Sequence, residues 1–201
     1  MRIGLRAAMS VLVMGAALPA AAQDDVQPFH QGFHATIGGG FASSGSQCGT
    51  CGGESRVSAL SFTLRVGGAL TKNVVLSAEY DAQSQPGDLT AARIASVALV
   101  AQWYPRVSDG FFVMGGGGFA VRSVSTAIDP AGDMGMETSI GPAFLGGVGY
   151  DVHLLRGLSV TPYAHYLWAA QANASVAGGS LYSPGKVGAN MINAGVALSW
   201  R

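Results

Sequence analysis

Residues 60–81 read LSFTLRVGGALTKNVVLSAEYD, and this stretch decides the fold. Apolar and polar residues alternate on both sides of its centre, which is the period of a β-strand with two unlike faces. A three-residue TKN loop would pair Leu70 with Val74. The same count places Arg65 opposite Glu79, and facing residues of a hairpin must share a face of the sheet. The stretch therefore predicts a β-hairpin with one apolar and one polar face.

The same alternation recurs from residue 31 to the end of the sequence. It predicts eight strands, at about residues 31–42, 57–69, 74–83, 92–104, 111–123, 140–152, 158–170 and 187–200. Connections after every second strand are long and rich in Gly, Ser, Asp and Pro, at about residues 43–56, 83–91, 123–139 and 170–186. The other connections are short, and this rhythm is typical of outer-membrane barrels. We predict an all-β fold, an eight-stranded antiparallel up-and-down transmembrane β-barrel.

Composition decides which face of the predicted sheet meets lipid. Only 11% of the residues are charged, whereas soluble domains average about 25%. A soluble eight-stranded barrel of the lipocalin kind would need a more charged exterior. After the N-terminus there is no run of about 18–20 apolar residues, which excludes a bundle of membrane-spanning helices. The apolar face is therefore expected to contact lipid, with a soluble periplasmic ligand-binding barrel as an alternative.

The N-terminus has the order of a secretory signal peptide. Arg2 and Arg6 precede a short apolar stretch, and three alanines ending at Ala22 form a small-residue cleavage site. We predict a cleaved signal peptide over 1–22, a barrel domain over 23–201, and an outer-membrane location. Removing the two arginines leaves nine basic and eleven acidic residues, a net charge of −2. No nucleic-acid partner is expected from that balance.

Two sets of residues are predicted to stabilise the barrel. Arg65, Glu79 and Asp81 lie on the polar face and should form an ion network that fills the lumen, because an isolated buried charge is costly. A gate or narrow pore is the alternative, although an eight-stranded barrel is scarcely wider than its own side chains. Aromatic residues near strand ends of the apolar face should form girdles at the membrane interfaces: Trp103, Phe111, Tyr150, Trp168 and Trp200.

Cys48 and Cys51 form a CGTC motif in the first long connection. In an exported protein the two thiols should be oxidised to a disulfide that staples the loop. A redox pair and half of a metal site are alternatives, but there is no second CxxC motif to complete a zinc site. No metal and no cofactor is predicted.

Strand seven and its surroundings carry the residue types of a hydrolase. Ser159, Tyr163 and His165 share the polar face, with Asp151 and His153 nearby in sequence. A Ser/His/carboxylate set could hydrolyse lipid esters. The outer-membrane enzymes that deacylate lipid A carry a His-x-Ser motif, whereas Tyr-Leu follows the histidine here. We predict no enzymatic activity, with a lipid A-modifying hydrolase as the alternative.

The sequence resembles the eight-stranded outer-membrane β-barrel superfamily of the OmpA transmembrane domain and OmpX. The features that carry the resemblance are the signal ending AAA, the WYP of residues 103–105 leading to FFVMGG at 111–116, and NAGVALSWR at 193–201. The resemblance implies a monomer that contacts outer-membrane lipid and has a structural or surface-interaction role carried by extracellular loops. It also implies that barrel-assembly machinery reads an aromatic residue near the end, here Trp200, although Arg201 follows it. The partner of the loops is not predicted.

Overall fold

The computed structural model of the chain describes residues 32–48, 56–85, 90–106, 108–127, 134–177 and 186–201. Nine β-strands lie in these ranges: β1 (Phe33–Cys48), β2 (Arg56–Thr71), β3 (Val74–Gln85), β4 (Thr90–Trp103), β5 (Phe111–Ala127), β6 (Met134–Tyr150), β7 (Val152–Leu155), β8 (Leu158–Ala177) and β9 (Lys186–Trp200). No helix in the same ranges is long and apolar enough to cross a membrane. The predicted signal peptide falls outside the described residues and stays a prediction.

The strands close into a barrel. β1 to β6 pair antiparallel in sequence order, β8 pairs with β9, and β9 pairs with β1. β8 also pairs with both β6 and β7, which makes β6 and β7 one barrel strand interrupted at Asp151. The predicted eight-stranded antiparallel barrel is therefore confirmed. The connections 72–73, 104–110 and 156–157 lie at the end of the barrel that also holds the start of β1 and the end of β9, and we refer to it as the turn end.

The hairpin of β2 and β3 confirms the predicted register with one local difference. Arg65 pairs with Glu79, but Thr71 rather than Leu70 pairs with Val74, and the register shifts between Ala69 and Thr71. The predicted Leu70–Val74 pair is therefore wrong. A two-residue turn plus a one-residue bulge takes up the same length of chain as the expected three-residue loop, so the pairing above the bulge is unchanged.

Several strands continue farther from the turn end than their apolar alternation does. Residues 43–48, 123–127, 134–139 and 170–177 were expected in loops and belong to β1, β5, β6 and β8. A tilted strand crosses a bilayer in about 9–11 residues, whereas β8 has 20 residues. Beyond the lipid both faces of the sheet can be polar, so the pairing continues without the sequence pattern that reveals it. The connections at this end are correspondingly shorter than predicted.

The predicted faces of the strands agree with the observed burial. Alternate apolar side chains point outward, and examples with more than half of their surface exposed are Leu60 (68%), Phe119 (65%), Leu99 (64%) and Phe144 (58%). The residues between them point into the lumen and are buried, polar ones such as Thr63 and Ser199 together with apolar ones such as Leu167. A soluble monomer rarely exposes so large an apolar surface. The exterior is therefore that of a protein that contacts lipid.

Candidate functional site

An ion pair joins β2 and β3 inside the lumen. Arg65 Nε donates to Glu79 Oε2 over 2.5 Å, and the two side chains are 2% and 1% exposed. Asp81 lies two residues along β3 from Glu79 and is also fully buried. Its Oδ1 atom accepts a hydrogen bond of 2.5 Å from Thr63 Oγ1. The structure thus brings together Arg65, Glu79 and Asp81, the three charged residues that the polar faces of these strands placed in the lumen.

The opposite wall adds a histidine to this group. β8 lies four strands from β3 in either direction around the barrel. From it, His165 Nε2 reaches to 3.4 Å from Asp81 Oδ2, and the side chains of both residues are fully buried. The neighbouring Tyr163 ring stacks on the His165 ring, with centroids 5.8 Å apart and planes at 19°. Alternation places His165 in the lumen, but the sequence carries no signal for the residue that it meets across the barrel.

Further hydrogen bonds cross the lumen between strands that are not neighbours. The Tyr163 and Thr63 hydroxyl oxygens are 3.0 Å apart and join β8 to β2. Ser61 Oγ donates to Asn193 Oδ1 over 2.7 Å and joins β2 to β9. These bonds and the ion pair fill the centre of a barrel whose interior is only wide enough for side chains. The described side chains therefore form a plug across the lumen.

A second charged group closes the turn end. Asp151 Oδ1 accepts a hydrogen bond of 2.5 Å from Thr161, and its Oδ2 accepts one of 2.8 Å from the Tyr104 hydroxyl. Arg201 forms an ion pair with the same carboxylate. Burial alone would raise the pKa of Asp151, but the charge of Arg201 and these hydrogen bonds together hold that pKa below its usual value. Asp151 is therefore ionised at neutral pH.

Ser159 and His165, which carry the residue types of a hydrolase on β8, are not brought together. Ser159 lies six residues from His165 on β8, a separation of about 20 Å along a strand. The carboxylate nearest to His165 is that of Asp81, while Asp151 is bound to Thr161 and Arg201. Ser159 pairs instead with His153 across β8 and β7, and His153 Nε2 lies 3.3 Å from Nη1 of Arg201. Ser159, His165 and Asp151 therefore do not form a Ser/His/carboxylate set.

The aromatic residues predicted for the girdles all lie on the exterior. Each has between 39% and 54% of its surface exposed: Trp103, Phe111, Tyr150, Trp168 and Trp200. Phe111 pairs with Tyr150 at the turn end, where Trp103 and Trp200 also end their strands. Trp168 lies farther along β8 and stacks on Phe144, with ring centroids 6.1 Å apart. Four of the five thus lie at one level, and their role at a membrane interface stays a prediction.

The predicted disulfide cannot be placed on this geometry. Cys48 ends β1, but its side chain and the whole of Cys51 lie outside the described residues. The loop staple therefore stays a prediction.

Comparisons with known proteins identify the fold but no sequence family. No protein-family model and no curated protein matches the sequence. Among solved structures, Neisserial surface protein A (NspA) is 13% identical, with a TM-score of 0.54 over 84% of this chain and 96% of that chain. Ail, the attachment invasion locus protein of Yersinia pestis, solved with the heparin analogue sucrose octasulfate, is 14% identical, with a TM-score of 0.52 over 82% of this chain and 98% of that chain. This chain has the fold of an eight-stranded outer-membrane β-barrel.

A third outer-membrane protein of solved structure is also similar in fold. A major outer membrane protein from Thermus thermophilus is 11% identical, with a TM-score of 0.51 over 83% of this chain and 98% of that chain. All three matches cover nearly the whole of the solved barrel, so this outer-membrane barrel fold accounts for the described part of the chain. At such low identity the likeness concerns the fold and not the activity.

Proposed function

We propose that this outer-membrane barrel is a closed platform, and that its function is a structural or surface-interaction role carried by the end opposite the turns. The observation that carries the proposal is the plug in the lumen, formed by the Arg65–Glu79 pair and by hydrogen bonds between strands that are not neighbours. A plugged barrel does not serve as a wide pore. The surfaces left for interaction are the lipid-facing exterior and the two ends.

The end opposite the turns is the better candidate for a contact surface. There β1, β5, β6 and β8 continue past the length that a bilayer needs. Four connections join the strands at this end: 49–55, 86–89, 128–133 and 178–185. A rigid sheet presenting variable connections is a common way to build a binding surface. The names of two proteins with this fold agree with such a role, since one is a surface protein and the other an attachment protein.

Enzymatic activity is not part of the proposal. The sequence lacks the His-x-Ser motif of lipid A deacylases, and Ser159 lies far from His165 on the same strand. A soluble lipocalin-like barrel is not proposed either, because side chains such as Leu99 and Phe119 would be exposed to water. We further propose signal-peptide cleavage near Ala22, insertion by the barrel-assembly machinery, and a monomeric state in outer-membrane lipid.

Two measurements on the full-length protein test the proposal. In planar bilayers, the wild-type protein should give no conductance of porin size, and a steady conductance of that size would refute the closed platform. For orientation, single cysteines are introduced into a Cys48→Ser/Cys51→Ser background, one at Gly179 in a connection and one at Lys72 in a turn. A membrane-impermeant maleimide should label Gly179→Cys on intact cells and Lys72→Cys only after the outer membrane is permeabilised. The opposite pattern would place the proposed interaction surface in the periplasm.

A role in surface contact is tested separately from the barrel itself. Residues 178–185 are replaced by a Gly-Ser linker of equal length, and cells carrying each protein are compared for adhesion to immobilised heparin, to protein-coated surfaces and to one another. Reduced adhesion by the linker variant, at equal amounts of folded barrel, is the expected result. Unchanged adhesion in every assay, also when the other three connections are replaced in turn, would leave only a structural role.

A further inference from the structure

Three side chains that can bind a metal converge in the centre of the lumen. Glu79, Asp81 and His165 each offer one ligand atom, and the three atoms lie within 4.8 Å of one another. The three residues are between 0% and 3% exposed. The two carboxylates share a face because they are two residues apart on β3, and the imidazole comes from β8 on the opposite wall.

The hydrogen bonding of this cluster leaves specific atoms unused. Glu79 Oε2 is bound by Arg65 and Asp81 Oδ1 by Thr63. Glu79 Oε1, Asp81 Oδ2 and both ring nitrogens of His165 are buried and form no hydrogen bond among the described residues. Asp81 Oδ2 and His165 Nε2 contact each other at 3.4 Å, a distance into which a bound ion could fit with small shifts of both side chains. Buried polar atoms almost always have a partner, so a group of them at one point indicates a bound ion or water. One oxygen of each carboxylate and one imidazole nitrogen are therefore available to a common ligand.

We infer that Glu79, Asp81 and His165 form a binding site for a divalent transition-metal ion, with Zn²⁺ the best fit. Two carboxylate oxygens and one imidazole nitrogen are ligands that Zn²⁺ accepts, and three protein ligands leave a fourth position for water. Metal binding requires both carboxylates in the ionised form, and with Arg65 charged the group then carries a net charge of −1. A cation placed between the free oxygens would relieve the repulsion between the carboxylates, which is strong away from water.

The position of the site in the barrel indicates a structural role. Three strands lie between β3 and β8 in each direction around the barrel, so the two strands share no backbone hydrogen bonds. An ion held by both strands would brace the barrel across its full diameter. Hydroxyl and amide side chains lie around the cluster, and hydrogen bonds join them in pairs: Ser61 to Asn193, and Thr63 to Tyr163. The inferred site would thus make the stability of the closed barrel depend on a bound metal ion. The proposed function does not require this dependence.

Zinc binding is tested on the full-length protein in detergent with the substitutions Cys48→Ser and Cys51→Ser, because thiolates would bind the metal themselves. The protein is stripped with a chelator, equilibrated with zinc chloride, separated from free metal and assayed for zinc by mass spectrometry. We expect one zinc ion per chain. Asp81→Asn and His165→Gln should each weaken zinc binding by at least about ten-fold. His34→Gln changes another buried histidine of the lumen, one that contacts Thr36, and should leave zinc binding unchanged.

Diffraction at the zinc absorption edge locates the ion in the protein that carries only Cys48→Ser and Cys51→Ser. This measurement does not depend on whether the variants of Asp81, His165 and His34 fold. The expected anomalous peak lies between β3 and β8, at about 2.0–2.2 Å from one oxygen of Glu79, one oxygen of Asp81 and one nitrogen of His165. A peak elsewhere, no bound zinc, or zinc binding that survives in folded His165→Gln would overturn the inference. The plugged lumen and the proposed surface role would stand in each of those cases.

Discussion

Arg65 and Glu79 face one another in register on β2 and β3, with Nε of the guanidinium 2.5 Å from Oε2 of the carboxylate and both side chains inside the lumen. Because each charge is removed from water, the loss of one partner leaves the other uncompensated. Arg65→Met or Glu79→Gln alone should lower the free energy of unfolding by about 3–5 kcal/mol. The double variant should be less destabilised than the sum of the single variants.

Urea unfolding in lipid vesicles, followed by tryptophan fluorescence, measures the coupling between Arg65 and Glu79. The control is Arg93→Met, which removes an exposed arginine of β4 that donates to the Tyr80 hydroxyl, and it should change stability little. Additive effects of the two lumen substitutions would show that the pair is not coupled.

A substitution at Leu99 tests whether the exterior of the barrel contacts lipid or water. Its side chain is 64% exposed on the same face of β4 as Trp103, four residues away. Leu99→Arg should destabilise the barrel in lipid vesicles by about 2–4 kcal/mol, because a charge near the middle of the lipid-facing band is costly. Leu155→Arg, at the turn end and 69% exposed, should cost less than about 1 kcal/mol. Equal and small effects for both variants would indicate an exterior that faces water.

The four glycines at 115–118 test how closely the wall of the barrel is packed. A Cβ atom on Gly118, which faces the lumen, would lie 2.0 Å from the carbonyl oxygen of Val97 on β4. A Cβ atom on Gly115, which faces outward, would come no closer than 3.8 Å to another residue. Gly118→Ala should therefore lower stability by about 1–3 kcal/mol or prevent folding, whereas Gly115→Ala should be tolerated. The fraction of folded protein on an unheated gel is the measurement, and a tolerated Gly118→Ala would contradict the close approach of β4 and β5.

Asp151 should make stability depend on acid pH. Its pKa in the folded protein is lower than in the unfolded chain, since Arg201, Thr161 and Tyr104 stabilise the carboxylate. The contribution is complete above the unfolded pKa of about 3.9 and is lost as the pH falls through the folded value. Asp151→Asn should cost about 1–3 kcal/mol at pH 7 and show less loss of stability between pH 5 and pH 2. Identical pH profiles for wild type and Asp151→Asn would exclude this contribution.

The architecture could be predicted from the sequence because apolar and polar residues alternate along every strand of a membrane barrel. Alternation around Phe62 and Arg65 reveals the strand, its register and the face that meets lipid. It does not reveal where a strand ends once both faces are polar, which is why the pattern places residues 170–177 in a loop rather than in β8. Contacts across the lumen could not be predicted from the sequence either. His165 reaches Asp81 only because the barrel closes with a particular stagger of its strands, and no local sequence pattern encodes that stagger.

A closed barrel in the outer membrane is the feature on which the other properties of this chain depend. Cells producing the full-length protein are fractionated, and each fraction is run on a denaturing gel with and without heating. We predict that the protein is in the outer-membrane fraction and that the unheated sample migrates as a compact folded form, which heating converts to the mobility of the unfolded chain. Recovery as a soluble periplasmic protein, with the same mobility before and after heating, would contradict the account.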